Sequence, residues 1–594
     1  MDIDIIVSEK GTDRLVKAQQ GDLLLDVLRR EGVFIQAPCG GAGKCRKCSA
    51  IIEGVGEVLT CMTRVDDELL ERTGGRIHVI LRSQGEAVIK SIGVLPEHNP
   101  DPIVWEMLSE ITEPTVADQA ADAERVQSQT GRVIPWHLIG KLPGILRKSD
   151  FKIKCAVRQD NNEIISVYSA SEEPGIFGVA VDIGTTTLSV SLFDLGNGRY
   201  IASANALNPQ GTYGADVISR IDHASSDIAN LYALRKAVVD KILSLALELC
   251  SDGSRISVFT FAGNTTMIHL LCGHDPSAIA KAPFIPATMA GRILYFHEVF
   301  PDWNDVIPSD PVCMLIPSLS GYVGADITAG IIATDLDKSD KPALLVDIGT
   351  NGEIALKHDG RILCCSVAAG PAFEGANIAC GTGGVSGAID RTWIENGEIR
   401  YSTIGQMPPS EICGSGIVSI VSTFLDAGII DETGRFCDDD SGSEETLCNG
   451  FEMLENERVF VFPGHPERTS RIYVTQKDIR EIQNAKAAVC AGIKLLISRA
   501  GISPHDISVV HIAGGFGNFL DINEAFNIGL LPSELKGKVV SAGNTSAAGA
   551  ALCMLDYSVT ARLAAIAGSA DYLELSTDSE FTELYVDSMF FEQE

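Results

Sequence analysis

VAVDIGTTT, residues 179–187, and LLVDIGTNGE, residues 344–353, decide the fold of this chain. Each starts as an apolar strand and ends in Asp-Ile-Gly-Thr, and the two aspartates lie 165 positions apart. A buried strand fixes the position of Asp182 or Asp347. The glycine that follows, Gly184 or Gly349, permits a tight turn beside a ligand. Hydroxyls and backbone N–H groups of Thr185, Thr186 and Thr187, or of Thr350 and Asn351, then face phosphate oxygens. The aspartate can hold magnesium, directly or through water, or orient an attacking water. One strand-Asp-Gly turn is commonplace. Two of them, each opening a stretch of α/β alternation, predict a phosphate-binding cleft with Asp182 and Asp347 as its catalytic residues.

A third element follows. VVHIAGGFGNFL, residues 509–520, runs from a strand into Gly514, Gly515 and Gly517. Glycines there are an ordinary strand-to-helix turn or the flat backbone that an adenosine group needs. VSAGNTSAAGAAL, residues 540–552, is a further small-residue loop entering a helix. Together these motifs resemble the actin, sugar-kinase and Hsp70 superfamily. The resemblance implies an α/β architecture of two ribonuclease-H-like subdomains around a nucleotide cleft, with ATP and Mg2+ as ligands. Asn264 and Thr265, in AGNTT, either line that cleft or form a strand-end turn. Glu374, in GPAFEG, is either catalytic or a cap for the next helix. No Walker P-loop, HExxH or GxGxxG dinucleotide fingerprint is present.

Near the start, APCGGAGKCRKCSA (37–50) and LTCMT (59–63) place Cys39, Cys45, Cys48 and Cys61 as C-x5-C-x2-C-x12-C. Three thiolates in a glycine-rich loop with one distant partner is the [2Fe–2S] ferredoxin arrangement, here one residue longer than the plant-type spacing. Gly40, Gly41 and Gly43 suit a loop that wraps a cluster. The alternative is structural zinc, which usually takes two C-x2-C knuckles, and this segment has one.

The chain has 594 residues, enough for two to four domains. A net charge of −32 disfavours nucleic acid as a partner. Sixteen cysteines are present; those outside the loop, such as Cys364, Cys365 and Cys490, sit in apolar surroundings and read as small buried hydrophobes. No apolar run is long enough for a membrane helix, and no secretory signal is visible, so a cytoplasmic protein is expected. Residues 1–90 read as a β-rich ferredoxin-like domain of the β-grasp kind. Its helix, GDLLLDVLRREG, has Asp22 placed as a cap. Residues 91–130 read as a polar, proline-rich linker, 131–174 as a small middle domain, and 175–594 as the ATPase domain, with subdomains at about 175–338 and 339–594.

A ferredoxin domain, a linker and this ATPase fold in one chain resemble the reductive activators of corrinoid proteins. NPQGTYGADVISRI (208–221), GNTTMIHLLCG (263–273), AAGPAFEGA (368–376), ICGSGI (412–417) and TQKDIREIQNAKAA (475–488) carry the likeness. CGTGGVSGAID (380–390) departs from the family's usual string and bears on which corrinoid partner is served. The resemblance implies ATP-dependent, one-electron reduction of Co(II) to Co(I), reactivating a methyltransferase system. It also implies a homodimer and an electron donor such as a ferredoxin, flavodoxin or flavoprotein. Two other readings stand beside it. One is an ATP-driven donor to another low-potential enzyme, like the dehydratase activators, which hold a [4Fe–4S] cluster between subunits. The other is a nucleotide-gated binding protein whose cluster senses redox state. His269 is expected to pack in a helix rather than to bind cobalt; Tyr213 and Asp216 match the family string with no role assigned by their chemistry.

Overall fold

The computed structural model describes residues 2–591 apart from 10–11, 34, 36, 38–40, 42, 44–47, 82–94, 99, 172–174, 290, 438–449, 455, 463–470 and 515–519. Cys39, Gly40, Cys45, Gly515 and Gly517 therefore lie outside the described residues.

The N-terminal strands are β1 (Asp2–Glu9), β2 (Thr12–Gln19), β3 (Ser49–Ile52), β4 (Gly56–Leu59) and β5 (Ile77–Leu81). They form one sheet in the order β2-β1-β5-β3-β4, with β1 and β5 parallel. The helix Leu24–Arg30 covers it through Leu24, Leu25, Val27 and Leu28, the apolar stripe that a 3.6-residue period presents. Asp22 does not cap this helix. Its carboxylate accepts from Gln19 N–H at 2.9 Å and pairs with Arg30 at 3.0 Å, because Leu23 stands between it and the first turn.

Strands β6 (Val104–Glu110), β7 (Lys152–Arg158) and β8 (Ile164–Ser169) form a three-stranded antiparallel sheet. Helix Asp122–Thr130 packs into the same core through Val126, beside Ile134, Leu142 and Ile153. The stretch expected to be a linker thus contributes a strand and a helix to the small middle unit. Its few apolar residues suffice because they are pooled with those of 131–174.

Next come β9 (Phe177–Ile183), β10 (Thr187–Asp194), β11 (Arg199–Leu207), β12 (Ile256–Gly263), β13 (Arg292–Tyr295) and β14 (Val312–Leu315), ordered β11-β10-β9-β12-β14-β13. The second large sheet uses β15 (Ala343–Ile348), β16 (Gly352–His358) and β17 (Arg361–Val367). After a hairpin, β18 (Ile389–Glu395) with β19 (Glu398–Thr403), and a small sheet of β20 (Phe451–Leu454), β21 (Glu457–Val461) and β22 (Tyr473–Thr475), it is completed by β23 (Val509–Ala513), β24 (Val539–Gly543) and β25 (Ala570–Tyr572), ordered β24-β23-β15-β16-β17-β25.

The two large sheets repeat one plan. Each opens with an antiparallel meander whose first strand then takes a parallel neighbour, β12 beside β9 and β23 beside β15. The central strands are buried on both faces and read as continuous apolar runs for that reason. Helix Thr545–Leu555 comes late in the chain yet packs in the core of the first sheet, against helix Ala325–Ala333. An added Cβ on Gly549 would lie 2.1 Å from Ala329 O, so the crossing depends on glycine. The C-terminal end of that helix bonds the entry to the middle unit: Asp101 N–H donates to Leu555 O and Ile103 N–H to Met554 O, both at 3.0 Å.

Candidate active site

Asp182 and Asp347 occupy the same place in the two sheets. Asp182 is in register with Ala262 of β12, and Asp347 with Ala513 of β23. Each neighbour is followed by a glycine, Gly263 or Gly514. An added Cβ on Gly514 would lie 2.5 Å from Asp347 Oδ1, so the chain passes directly over that carboxylate. The Gly-Thr turns after the aspartates are the hairpins that lead into β10 and β16.

Both turns open on one cavity of about 230 Å³. Asp182, Gly184, Thr185, Thr186, Thr187 and Asn264 line one side; Asp347, Gly349, Thr350, Asn351 and Gly514 line the other. Thus every described residue expected in the cleft is brought to it, while Thr265 turns away to donate to Ser320 O at 2.6 Å. Asn264 does two things at once. Its Oδ1 caps helix Thr265–Cys272 through Met267 N–H at 2.9 Å, and its Nδ2 reaches Thr185 Oγ1 at 3.2 Å. Glu374 is no helix cap: it accepts from Thr186 Oγ1 of one turn and, at 2.9 Å, from Thr350 Oγ1 of the other. His269 is internal, with Nδ1–H donating to Thr265 O at 2.7 Å and Nε2 accepting from Ala287 N–H at 3.1 Å.

Several residues at the cleft escape sequence reasoning. Asn544 Nδ2 and Ser546 Oγ donate to Asp182 at 2.8 and 2.7 Å. Their signal was available: AGNTS at 542–546 repeats AGNTT at 262–266. Asp326 and Glu353 also face the cavity, as do Gly383–Val385, inside the string that departs from the family. Asp326 sits in GAD, which repeats Gly214–Asp216. Asp216 itself caps helix Val217–Ser226 by a reciprocal bond with Ser219.

Five carboxylates and no lysine or arginine are among the described residues of this wall. Burial, then the neighbouring Asp326, Asp182 and Glu374, push the Asp347 carboxyl up to about 8. Burial raises Asp326 to about 7 and also lifts Asp182 and Glu353. Such a wall accepts a polyphosphate only with a cation. No three of the described acidic side chains converge on one point, so a divalent ion would rest on one or two carboxylates together with phosphates and water, which is how Mg2+ binds. Arg220, fully buried and lowered by that burial to about 10, acts from behind: it donates to Thr185 O at 2.6 Å and Gly214 O at 2.9 Å.

At the N-terminal sheet the β3/β4 ladder continues past Ser49 and Leu59, with Thr60 N–H donating to Cys48 O at 2.9 Å. Cys48 and Cys61 are thereby neighbours, 1% and 4% exposed. An added Cβ on Gly41 would lie 3.8 Å from Cys61 Cβ, so Gly41 lies against this hairpin. Two buried thiols with Gly41 packed beside them fit the surroundings of an iron–sulfur cluster. Cys364 and Cys365 are inert core residues, burial pushing the Cys364 thiol up to about 12 and Cys365 higher still.

Family models match four successive stretches of the chain. A "2Fe-2S iron-sulfur cluster binding domain" matches residues 7–69, a "RACo linker region" 96–174, a "RACo middle region" 177–339, and a "C-terminal domain of RACo the ASKHA domain" 341–594. The chain is 32% identical over 591 residues to the corrinoid activation enzyme RamQ of Eubacterium limosum, covering 97% of each. It is 26% identical over 452 residues to the Co(II) methylated-amine-specific corrinoid protein reductase of Methanosarcina barkeri, covering 69% of this chain and 76% of that one. A solved reductive activator for corrinoid, iron-sulfur protein superposes with a TM-score of 0.75 at 30% identity, over 99% and 98% of the two chains.

Proposed function

The chain belongs to the family of reductive activators of corrinoid proteins, and from that premise we propose how its two sites share the work of returning Co(II) in a corrinoid protein to Co(I) at the expense of ATP. The observation that carries the reading is the occurrence, in one chain, of the Cys48–Cys61 hairpin and a cleft built on two equivalent aspartate turns. A [2Fe–2S] cluster held by Cys39, Cys45, Cys48 and Cys61 would supply a one-electron carrier. Plant-type clusters lie near roughly −400 mV. A cobalt couple below that makes the transfer uphill by about 2.3 kcal/mol for each 100 mV. ATP can offset that only by making different contacts in two states of the protein.

In our reading Gly184–Thr187 and Gly349–Asn351 hold the phosphates, Asn264 orients Thr185, and Gly514–Gly517 takes the adenosine. Asp182 and Asp347 hold Mg2+, directly or through water. Asn544 and Ser546 fix the Asp182 carboxylate, and Glu374, joined to both turns, is placed to sense whether they close. Closing the cleft moves one sheet against the other about the glycine crossing at Gly549. We further assign the protein to the cytoplasm as a homodimer, reduced by a ferredoxin, flavodoxin or flavoprotein; no described helix is long and apolar enough to cross a membrane.

The test is anaerobic. Reduced protein is mixed with candidate corrinoid proteins in the Co(II) state, and Co(I) absorbance is followed with and without ATP-Mg. ATP-dependent Co(I) formation is the expected result. Co(I) without ATP would make the protein a plain electron carrier, and no Co(I) with any partner would favour a different low-potential acceptor.

A further inference from the structure

Tyr213 belongs to the family-like string 208–221 but does not line the cleft, and one side of its ring meets the cluster-bearing domain. Arg29, in the last turn of helix Leu24–Arg30, donates from Nη2 to Thr212 O and stacks its guanidinium on the Tyr213 ring, 5.4 Å from the centroid. The ring is backed by His223, with centroids 5.1 Å apart. We propose that this contact is a nucleotide-sensitive latch, in which Arg29 docks the cluster domain on the segment Asn208–Tyr213 and that segment transmits the state of the phosphate turn at Gly184–Thr187.

The chain of contacts is continuous in both directions. Toward the cleft, Asn208 N–H donates to Thr186 O and Asn208 Nδ2 to Gly184 O, each at 2.8 Å. Arg220 adds its bonds to Thr185 O and Gly214 O. Three successive carbonyls of the phosphate turn are therefore gripped by the 208–220 segment, so the turn and the segment shift together. Toward the cluster, the first turn of the Arg29 helix is bonded to the strand end that carries Cys61. Leu24 N–H donates to Thr63 O at 2.9 Å and Leu25 N–H to Thr60 O at 3.1 Å. Helix Leu24–Arg30 is a short rigid strut with the cluster hairpin at one end and the latch at the other.

The latch has the chemistry of a contact that opens. Arg29 Nε is buried with no hydrogen-bond partner among the described residues, so docking satisfies the guanidinium incompletely. Arg29 also holds Asp26 at 3.3 Å, and Asp26 is 58% exposed, so the cation keeps a partner on its own helix when it leaves Thr212. Two arrangements with partial satisfaction in each make a bistable element, and a shift at Gly184–Thr187 biases it.

The proposal rests on the assignment of Gly184–Thr187 to phosphate. It is tested on the full-length, cluster-loaded protein by ATP-Mg affinity and by hydrogen–deuterium exchange over helix Leu24–Arg30. In the wild type, ATP-Mg changes exchange in this helix. In Arg29→Ala and in Tyr213→Ala that change is lost and ATP-Mg affinity shifts about fivefold or more, since coupling between two sites is reciprocal. The signs must agree: if ATP-Mg loosens the helix, both variants bind it more tightly, and if it protects the helix, both bind it less tightly. Tyr213→Phe keeps the ring and behaves as wild type, which a loss of general stability would not reproduce. Wild-type exchange that ignores ATP-Mg, or wild-type affinity in both alanine variants, overturns the latch alone. Failure of the wild type to bind ATP-Mg overturns the phosphate assignment and the latch with it.

Discussion

Asn544 Nδ2 donates to Asp182 Oδ2 at 2.8 Å, joining residues 362 positions apart in the chain. Through this bond the first aspartate turn is fixed by a helix from late in the sequence, whose other face crosses helix Ala325–Ala333. Asn544→Ala leaves the buried Asp182 carboxylate with Ser546 as its one remaining side-chain donor among the described residues. We expect a loss of about 1–3 kcal/mol in stability and about a tenfold loss or more of ATP-dependent Co(I) formation. Cluster reduction, read by its paramagnetic resonance signal, stays as in the wild type.

Asp347 dictates a pH dependence. Its carboxyl is raised to about 8 by burial first and neighbouring acids second. The folded state thus binds the proton more tightly than the unfolded chain, whose carboxyl titrates near about 4. The stability it contributes is complete below pH ~4 and is lost as the pH rises through ~8. Without nucleotide, the denaturation midpoint falls across that window. Asp347→Asn flattens the fall and stabilises the nucleotide-free protein at pH ~8, while ATP-Mg binding is weakened.

Glu374 touches hydroxyls of both turns, and a carboxylate there can accept a proton that its amide cannot. Glu374→Gln keeps the size and two-sided hydrogen bonding. Its expected phenotype is ATP hydrolysis slowed about 100-fold with nearly unchanged ATP affinity. Equal loss of affinity and turnover would instead mean that the residue only braces the turns.

Removing a thiol separates the two sites. Cys61→Ser and Cys45→Ala are expected to abolish the cluster's visible absorbance and all Co(I) formation, and to leave ATP-Mg binding intact. Retained Co(I) formation in either variant would move the electron path elsewhere in the chain.

Gly549→Ala probes the crossing directly. Its new methyl group would stand 2.1 Å from Ala329 O, and the helices must separate to admit it. Overpacking of this kind costs about 1–3 kcal/mol. Slower ATP-dependent Co(I) formation with an unchanged cluster spectrum is the expected signature of a stiffened or displaced hinge.

Much of this protein is written locally. A continuous apolar run ending in Asp-Ile-Gly-Thr specifies a buried strand and its turn wherever it occurs, so Asp182, Asp347 and their threonines were legible, and the [2Fe–2S] domain was legible too, because cysteine spacing is a property of the chain itself. What sequence order could not supply was which distant residues share a site. Asp326, Asn544 and Ser546 reach the cleft because strands β9 and β15 take parallel partners from far along the chain, whereas Glu353 comes by the local β15/β16 hairpin, in register with Asp347. Glu374 likewise meets Thr186 only when two sheets face each other. Residues 104–130, too poor in apolar side chains to form a core alone, became ordered through the sheet with β7. Arg29 ends its helix as cations commonly do, and only the apposition of two domains gives it Tyr213. Local pattern determined the elements and the turns, and long-range packing decided which charges and hydrogen bonds those turns would meet.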